Sequence, residues 1–197
     1  MLNRIFIKKF IRKTVFLLGF LVLSAGFYSG CNKKCSCKWP QIQNKGKGQA
    51  KRLFLHGLAE LKKDNFKRSL HFFNKSLVFD KNSALVYVGI GIACSGLEEY
   101  DDALYAFNNA VSLDSKLVEA FVRRGLVLHH QGKEKKALDD FNRALSLNPN
   151  HPLGLMGKAF VLYATKKYNA AFTEAKKAEK AGATLPKDFM GAIKSHL

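Results

Sequence analysis

Residues 118–151 read VEAFVRRGLVLHHQGKEKKALDDFNRALSLNPNH, and this stretch decides the fold. It places small residues at Gly125, Ala137 and Ala144 and an aromatic ring at Phe141. The apolar residues between them recur at helical spacing in two blocks. The stretch therefore predicts two amphipathic helices that pack against each other as a hairpin.

The same pattern returns when the sequence is shifted by one repeat length of 34 residues. A small residue on the first helix of a hairpin lets the second helix approach closely, because a larger side chain would hold the two axes apart. Residues at the same position in successive copies form a column, and some columns hold larger residues instead of small ones. These larger residues would fill the space between neighbouring hairpins, so that stacking supplies the core. The columns are Gly57, Gly91, Gly125 and Ala159; Ser69, Ala103, Ala137 and Ala171; Ser76, Ala110, Ala144 and Ala178; Phe73, Phe107, Phe141 and Ala175; and Tyr87, Phe121 and Leu155.

These columns resemble the tetratricopeptide repeat family over about residues 50–183, in four tandem copies. The resemblance implies an all-α fold: a right-handed superhelix of about four helix hairpins, closed by a capping helix in residues 184–197. Turn residues and helix caps predict helices at 50–63, 66–79, 84–96, 100–112, 118–131, 134–147, 152–165, 168–181 and 185–196. The copies would then span 50–83, 84–117, 118–151 and 152–183.

The end of the last copy carries its own helix signals. Gly182 predicts the stop of the second helix, and Thr184 is the expected cap of the final helix. On that helix, Phe189, Ile193 and Leu197 would cover the exposed end of the stack, as the solubility of a repeat array requires.

The first thirty residues have the pattern of a secretory signal. A basic head is followed by a run without charge at residues 14–30, and Ser29 and Gly30 precede Cys31. This end resembles the signal of a bacterial lipoprotein, which implies cleavage before Cys31 and lipid on that cysteine. The alternative is an uncleaved helical anchor, since the run is near the lower limit for spanning a bilayer. Both interpretations predict a membrane-attached protein on the extracytoplasmic side.

Residues 31–49 are polar, basic and interrupted by proline and glycine, so we expect a flexible tether. Cys31, Cys35 and Cys37 lie close together, but zinc sites need four ligands, usually in two separated pairs. We therefore expect no metal site and no cofactor. Cys94 falls on the inner side of a helix and is expected to pack as a small hydrophobic residue.

The formal net charge of +18 is unevenly distributed. Residues 1–52 hold twelve Lys and Arg and no acidic residue, so the repeats are only mildly basic. A protein that binds nucleic acid would concentrate its basic residues on one folded face, and we therefore expect no nucleic-acid partner. A basic segment beside an anchor suits an anionic membrane surface instead.

The resemblance implies that the first helices line a concave groove for a peptide. Some members of the family bind carboxylates there through Lys and Asn, but apolar residues occupy those positions in this chain. An open apolar groove would bind a hydrophobic or amphipathic segment, with Met156, Phe160 and Tyr163 as anchors. Alternatively, part of the stripe is core, or the N-terminal segment covers it. The predicted groove residues are Phe54, Leu58, Leu61, Leu85, Val88, Ile92, Val122, Leu126, His129, Leu153, Met156, Phe160 and Tyr163.

Polar residues near the groove do not suggest catalysis. His129 and His130 have no acidic residue at helical spacing, so we expect a solvated helix end. Asp139 and Asp140 are expected to be solvated charges on the outer face. We expect no catalytic residues, and the favoured function is non-covalent binding of a partner protein as an adaptor or assembly factor. The alternative is a structural envelope protein that forms homo-oligomers and has no client.

Overall fold

The computed structural model describes residues 44–197. The predicted leader at 1–30, the lipidation site Cys31 and the neighbouring Cys35 and Cys37 lie outside the described residues. Between residues 44 and 197 the chain forms nine α-helices and no strand, so the all-α prediction is confirmed there.

Eight of the helices pair into four consecutive hairpins, and a short ninth helix follows. The two helices of each hairpin pack against each other, and the second helix of one hairpin packs on the first helix of the next. The helices are α1 (Asn44–Leu61), α2 (Phe66–Phe79), α3 (Ala84–Gly96), α4 (Tyr100–Leu113), α5 (Val118–His130), α6 (Glu134–Leu147), α7 (Pro152–Ala164), α8 (Tyr168–Lys180) and α9 (Phe189–Lys194).

Two helix bounds differ from the prediction by more than two residues. Helix α1 begins at Asn44 rather than at residue 50, so the glycines at 46 and 48 lie inside a helix. Each glycine costs a helix about 1 kcal/mol relative to alanine, which the packing of the rest of α1 offsets. At the other end, α9 starts at Phe189 instead of residue 185, because Leu185 packs against the fourth copy and the chain turns at Pro186.

The turn inside each hairpin has one backbone conformation. Asp64, Glu98, Gly132 and Lys166, which stand 34 residues apart, have φ angles of 56°, 65°, 74° and 61°. Glycine adopts this left-handed region freely, whereas each of the other three residues loses about 1–2 kcal/mol by doing so. Helix packing on both sides therefore sets the turn, and glycine is not required for it.

Phenylalanine rings pack directly on glycine backbone. A Cβ atom on Gly57 would lie 2.4 Å from the ring of Phe73, and one on Gly89 of the next copy would lie 2.6 Å from the same ring. Phe141 lies between two glycines in the same way, one in its own copy and one in the next. Carbon atoms do not approach this closely in packed cores, so these glycines permit the helix spacing.

The fourth copy replaces this ring with a smaller residue. Ala175 stands where the other copies have phenylalanine, and it forms a fully buried cluster with Ala159, Ala171 and Ile193. Ile193 belongs to α9, so a side chain from outside the repeat supplies apolar volume at the site of the missing ring. Phe189 lies on the same helix and contacts the fourth copy, whereas Leu197 is 58% exposed.

Two serines replace the alanines of the small columns in the first copy. The hydroxyl of Ser76 donates a hydrogen bond of 2.8 Å to the carbonyl oxygen of Ala50, which links α2 to α1. Ser69 is fully buried, and its hydroxyl has no hydrogen-bond partner. Burial of an unpaired hydroxyl is unfavourable, so the first copy is less well packed than the others in this respect.

We predict that Gly91→Ala destabilises the fold, because the new methyl group would lie 2.5 Å from the ring of Phe107. Overpacking of this kind costs about 1–3 kcal/mol. The matched control is Gly48→Ala in α1, where nothing lies within 4 Å of the added atom. That exposed helical change should stabilise by up to about 1 kcal/mol. Urea unfolding measures both, and equal effects at the two sites would contradict this account of the packing.

Candidate partner-binding face

The first helices of the hairpins lie side by side and form one face of the array. Helix α1 contacts α3, α3 contacts α5, and α5 contacts α7. We call this surface the first-helix face, and it holds all thirteen predicted groove residues. The fold therefore brings these residues to one side of the protein, but it exposes them very unequally.

More than half of the predicted groove residues are buried in the array. Each has at most 9% of its surface exposed, so it presents little side chain to a partner. The structure gives the six apolar residues among them a role in hydrophobic packing and pairs His129 with Glu134, and a partner contact at these positions stays a prediction. They are Leu61, Val88, Val122, Leu126, His129, Leu153 and Met156.

The remaining predicted residues keep accessible apolar surface in two places. In the first two copies Phe54, Leu58 and Ile92 are half-buried, and Leu85 is 42% exposed. Their exposed surface lies on α1 and α3, and we call these four residues the α1–α3 patch.

The second place is at the fourth copy, where the C-terminal segment contacts the predicted anchors. The ring centroid of Phe189 lies 4.6 Å from that of Phe160 and 5.5 Å from that of Tyr163. Both contacts are edge-to-face, a favourable geometry for aromatic pairs. Phe160 and Tyr163 thus help to hold α9 in place, which the sequence did not predict.

The histidine pair is not a solvated helix end, so that expectation is wrong. His129 is only 6% exposed, and its Nδ1 atom lies 2.6 Å from a carboxylate oxygen of Glu134. The ring of His130 packs against Tyr100 of the previous hairpin, with the centroids 4.3 Å apart. Glu134 begins the next helix across the turn, so it does not stand at helical spacing from His129 within one helix.

A buried ionic cluster lies in the third copy, next to the start of the helix that opens the fourth. Arg123 is 7% exposed, and its Nε atom donates to Glu119 at 2.5 Å, while Nε2 of His151 lies 3.7 Å from the same carboxylate. The Nδ1 atom of His151 accepts a hydrogen bond from the backbone N–H of Gly154, and this caps α7. The sequence analysis did not predict this cluster.

Burial and charge shift both acid–base groups of this cluster. Burial lowers the pKa of His151, and Arg123 lowers it further, although Glu119 opposes the shift. For Glu119, burial alone would raise the pKa, but Arg123 and His151 outweigh burial and the pKa is lowered. Both groups therefore favour their deprotonated forms in the folded protein.

A second ion pair contradicts the expectation that Asp140 is a solvated charge. The carboxylate of Asp140 accepts two hydrogen bonds from Arg124, at 2.7 and 2.8 Å, and is only 6% exposed. Arg124 also donates to Asn108 of the preceding copy. This arginine thus bridges two copies, beside an open cavity of about 410 Å³. Residues of α4, α5, α6 and the turn between α5 and α6 line this cavity, including Asp139, which is exposed as expected.

Cys94 is buried, as predicted, and burial raises the pKa of its thiol to about 11, with Glu99 and Asp102 adding to the shift. Such a thiol is mostly protonated at neutral pH and is a poor nucleophile. In the part of the chain that the structure describes, no group of three or more His, Cys, Asp or Glu residues is placed to hold a metal ion.

The stacked hairpins and their first-helix face define a helical repeat protein. Residues 118–151 match the family model of the tetratricopeptide repeat, the same stretch that carries the sequence resemblance. No curated protein is similar enough in sequence to match this chain. Within residues 44–197, no helix combines the length and the apolar character needed to cross a membrane.

Several solved structures, TPR domains among them, share this fold. The TPR domain of Arabidopsis OM64 is 21% identical with a TM-score of 0.59, and the match covers 60% of this chain and 98% of that domain. The first TPR of Spaghetti (RPAP3), bound to the HSP90 peptide SRMEEVD, is 22% identical with a TM-score of 0.59, over 61% and 95% of the two chains. MamA from Desulfovibrio magneticus RS-1 is 17% identical with a TM-score of 0.61, over 72% and 78%. At these identities, the likeness shows the fold.

We predict that the stability of the array falls as the pH is lowered from 7 towards 4. A group whose pKa is lowered by folding binds more protons in the unfolded state, so acid favours unfolding. His151 acts first, as the pH falls below its usual pKa of about 6.5. Glu119 acts next, as the pH falls below its usual pKa of about 4.3. His151→Asn keeps a capping side chain but removes the first titration. Urea unfolding at several pH values should show a smaller loss between pH 7 and 5 in the variant. An unchanged slope would contradict the role given to His151.

Proposed function

We propose that this chain holds a partner protein non-covalently on its first-helix face, as an adaptor or assembly factor. The observation that carries the proposal is the α1–α3 patch, whose apolar side chains remain accessible on a face where most neighbouring side chains are buried. Apolar surface grouped on a rigid scaffold of this kind is typical of sites for partner proteins.

The chemistry of the patch favours an apolar or amphipathic segment as the ligand. The Spaghetti (RPAP3) domains are solved with the HSP90 peptide SRMEEVD, in which three of seven residues are acidic. In this chain Phe54, Leu58, Val88 and Ile92 stand at the positions where Lys and Asn bind carboxylates in some members of the family. An amphipathic helix that places its apolar face on the patch would satisfy these residues better than an acidic terminus would.

The proposal includes a membrane tether through Cys31. Its support is the sequence alone: a basic head, the uncharged run at 14–30, and the small residues Ser29 and Gly30 before the cysteine. Lipid on Cys31 would hold the array at an extracytoplasmic membrane surface, and more than one acyl chain would make the attachment stable.

We predict that Leu85→Asp weakens partner binding at least tenfold, which corresponds to about 1.4 kcal/mol. The partner is first identified with a photo-crosslinking amino acid at position 85, and its affinity for the purified chain is then measured. Leu113→Asp is the matched control, because Leu113 lies on the second helix of the same copy and is also 42% exposed. The control should bind within about twofold of the unmodified chain. Circular dichroism should show both variants folded.

Two results would contradict the proposed client function. Equal losses of affinity in the two variants would mean that binding does not use the first-helix face. Crosslinks from position 85 to another copy of this chain, with no second protein, would support the self-associating structural protein instead.

The tether makes a separate prediction. Metabolic labelling with an alkyne-bearing palmitate should label the chain, and Cys31→Ser should abolish both the label and cleavage of residues 1–30. Cys35→Ser and Cys37→Ser are matched controls in the same segment and should keep the label. Loss of residues 1–30 from the Cys31→Ser chain would mean that cleavage does not depend on this cysteine.

A further inference from the structure

Within residues 44–197, one face of the first copy has no other copy packed against it. In the second copy, Gly89 packs on the ring of Phe73 from the first copy. In the third copy, Arg143 donates a hydrogen bond to the backbone carbonyl of Ser115 from the second copy. The positions that correspond to these two residues in the first copy are Leu55 and Lys75, which are exposed. They mark the surface of α1 and α2 at the amino-terminal end of the stack.

Neighbouring side chains extend this surface. Arg52 lies one helical turn before Leu55, and Phe79 lies one turn after Lys75, so each shares a helix face with its neighbour. The ring of Phe72 stacks on His56, with the centroids 5.4 Å apart, and this joins the two helices. We call this surface the end face, and its residues are Arg52, Leu55, His56, Phe72, Lys75 and Phe79.

The end face combines positive charge with exposed apolar surface. Leu55 is 41% exposed and Phe79 is 47% exposed, and both lie among exposed basic side chains. Residues 44–83 hold ten Lys and Arg against three acidic residues, none of which is on the end face. Glu60 accepts a hydrogen bond from Asn65, and Asp80 accepts one from the backbone of Asn82.

The charge of the first copy contrasts with that of the second. Residues 84–117 hold five acidic residues and a single lysine. The first copy therefore has a net charge of +7, ten basic minus three acidic residues, and it continues the basic charge of residues 31–43, which lead back to the uncharged run at 14–30. Thirteen residues span at most about 45 Å, so a bilayer that holds the run is within reach of the end face.

We propose that the end face docks on the anionic headgroups of the membrane to which the chain is tethered. Arg52 and Lys75 lie against lipid phosphates, and Leu55 and Phe79 enter the boundary between headgroups and acyl chains. The later copies then project away from the bilayer. This inference rests on the proposed membrane attachment.

A second copy of the chain fits the end face less well than a lipid surface does. Head-to-tail stacking would bring it against the other end of the array, at residues 152–197. That region holds eight lysines and three acidic residues, so the two ends repel each other.

The test is amine acetylation of the full chain in vesicles of phosphatidylcholine, with or without phosphatidylglycerol, read by mass spectrometry. Lys75 of the end face, and Lys51, which is exposed beside Arg52 on α1, should react at least about threefold more slowly in the anionic vesicles, and raised salt should restore their reactivity. Lys180 and Lys194, both exposed at the far end, are internal controls and should change little. The double variant Arg52→Glu, Lys75→Glu should remove the protection of Lys51, whereas Lys180→Glu, Lys194→Glu should not.

Equal reactivity of Lys51 and Lys75 in both kinds of vesicle would overturn the proposal. Protection that persists in neutral vesicles and grows with protein concentration would also overturn it, in favour of a second copy as the occupant. The membrane tether is tested separately, by measuring whether the chain floats with neutral vesicles. A chain that fails to float with them but is protected at Lys51 and Lys75 on anionic vesicles lacks the tether and keeps the end-face contact.

Discussion

The fold depends on the contact between a phenylalanine ring on the second helix of a hairpin and the bare backbone of glycine on the helices beside it. Phe73 sits between Gly57 and Gly89, and its ring lies where a side chain on either glycine would begin. One ring therefore fixes the spacing inside a hairpin and between that hairpin and the next. Because the contact recurs at Phe141, the same constraint sets the geometry in separate parts of the array.

The polar contacts follow from this close packing. Where the third copy has arginines rather than apolar residues between hairpins, each arginine has a carboxylate partner: Arg123 pairs with Glu119 and Arg124 with Asp140. A buried charge without such a partner would be strongly destabilising. The two outer copies of the described array differ: α9 covers the fourth copy, while the first copy presents basic residues to its surroundings.

The sequence predicted the helices and hairpins well because each copy packs its helices in the same way. Small residues therefore recur every 34 residues, where two helices approach closely. It predicted accessibility poorly. An apolar pair such as Val122 with Leu126 has the same helical spacing whether it faces a groove or the neighbouring helix, so periodicity cannot separate the two. Contacts across turns, such as His129 with Glu134, depend on how one helix follows another, and no fixed spacing reveals them.

The central claim, that phenylalanine rings lie directly on glycine backbone within and between hairpins, is tested most directly by nuclear Overhauser effects in the full chain. The account predicts strong effects from the ring protons of Phe73 to the Hα protons of both Gly57 and Gly89, with those Hα resonances shifted by the ring current. Effects to Gly57 alone would mean that the first hairpin forms but does not stack on the second as described. Absence of both would contradict the packing on which the whole array is built.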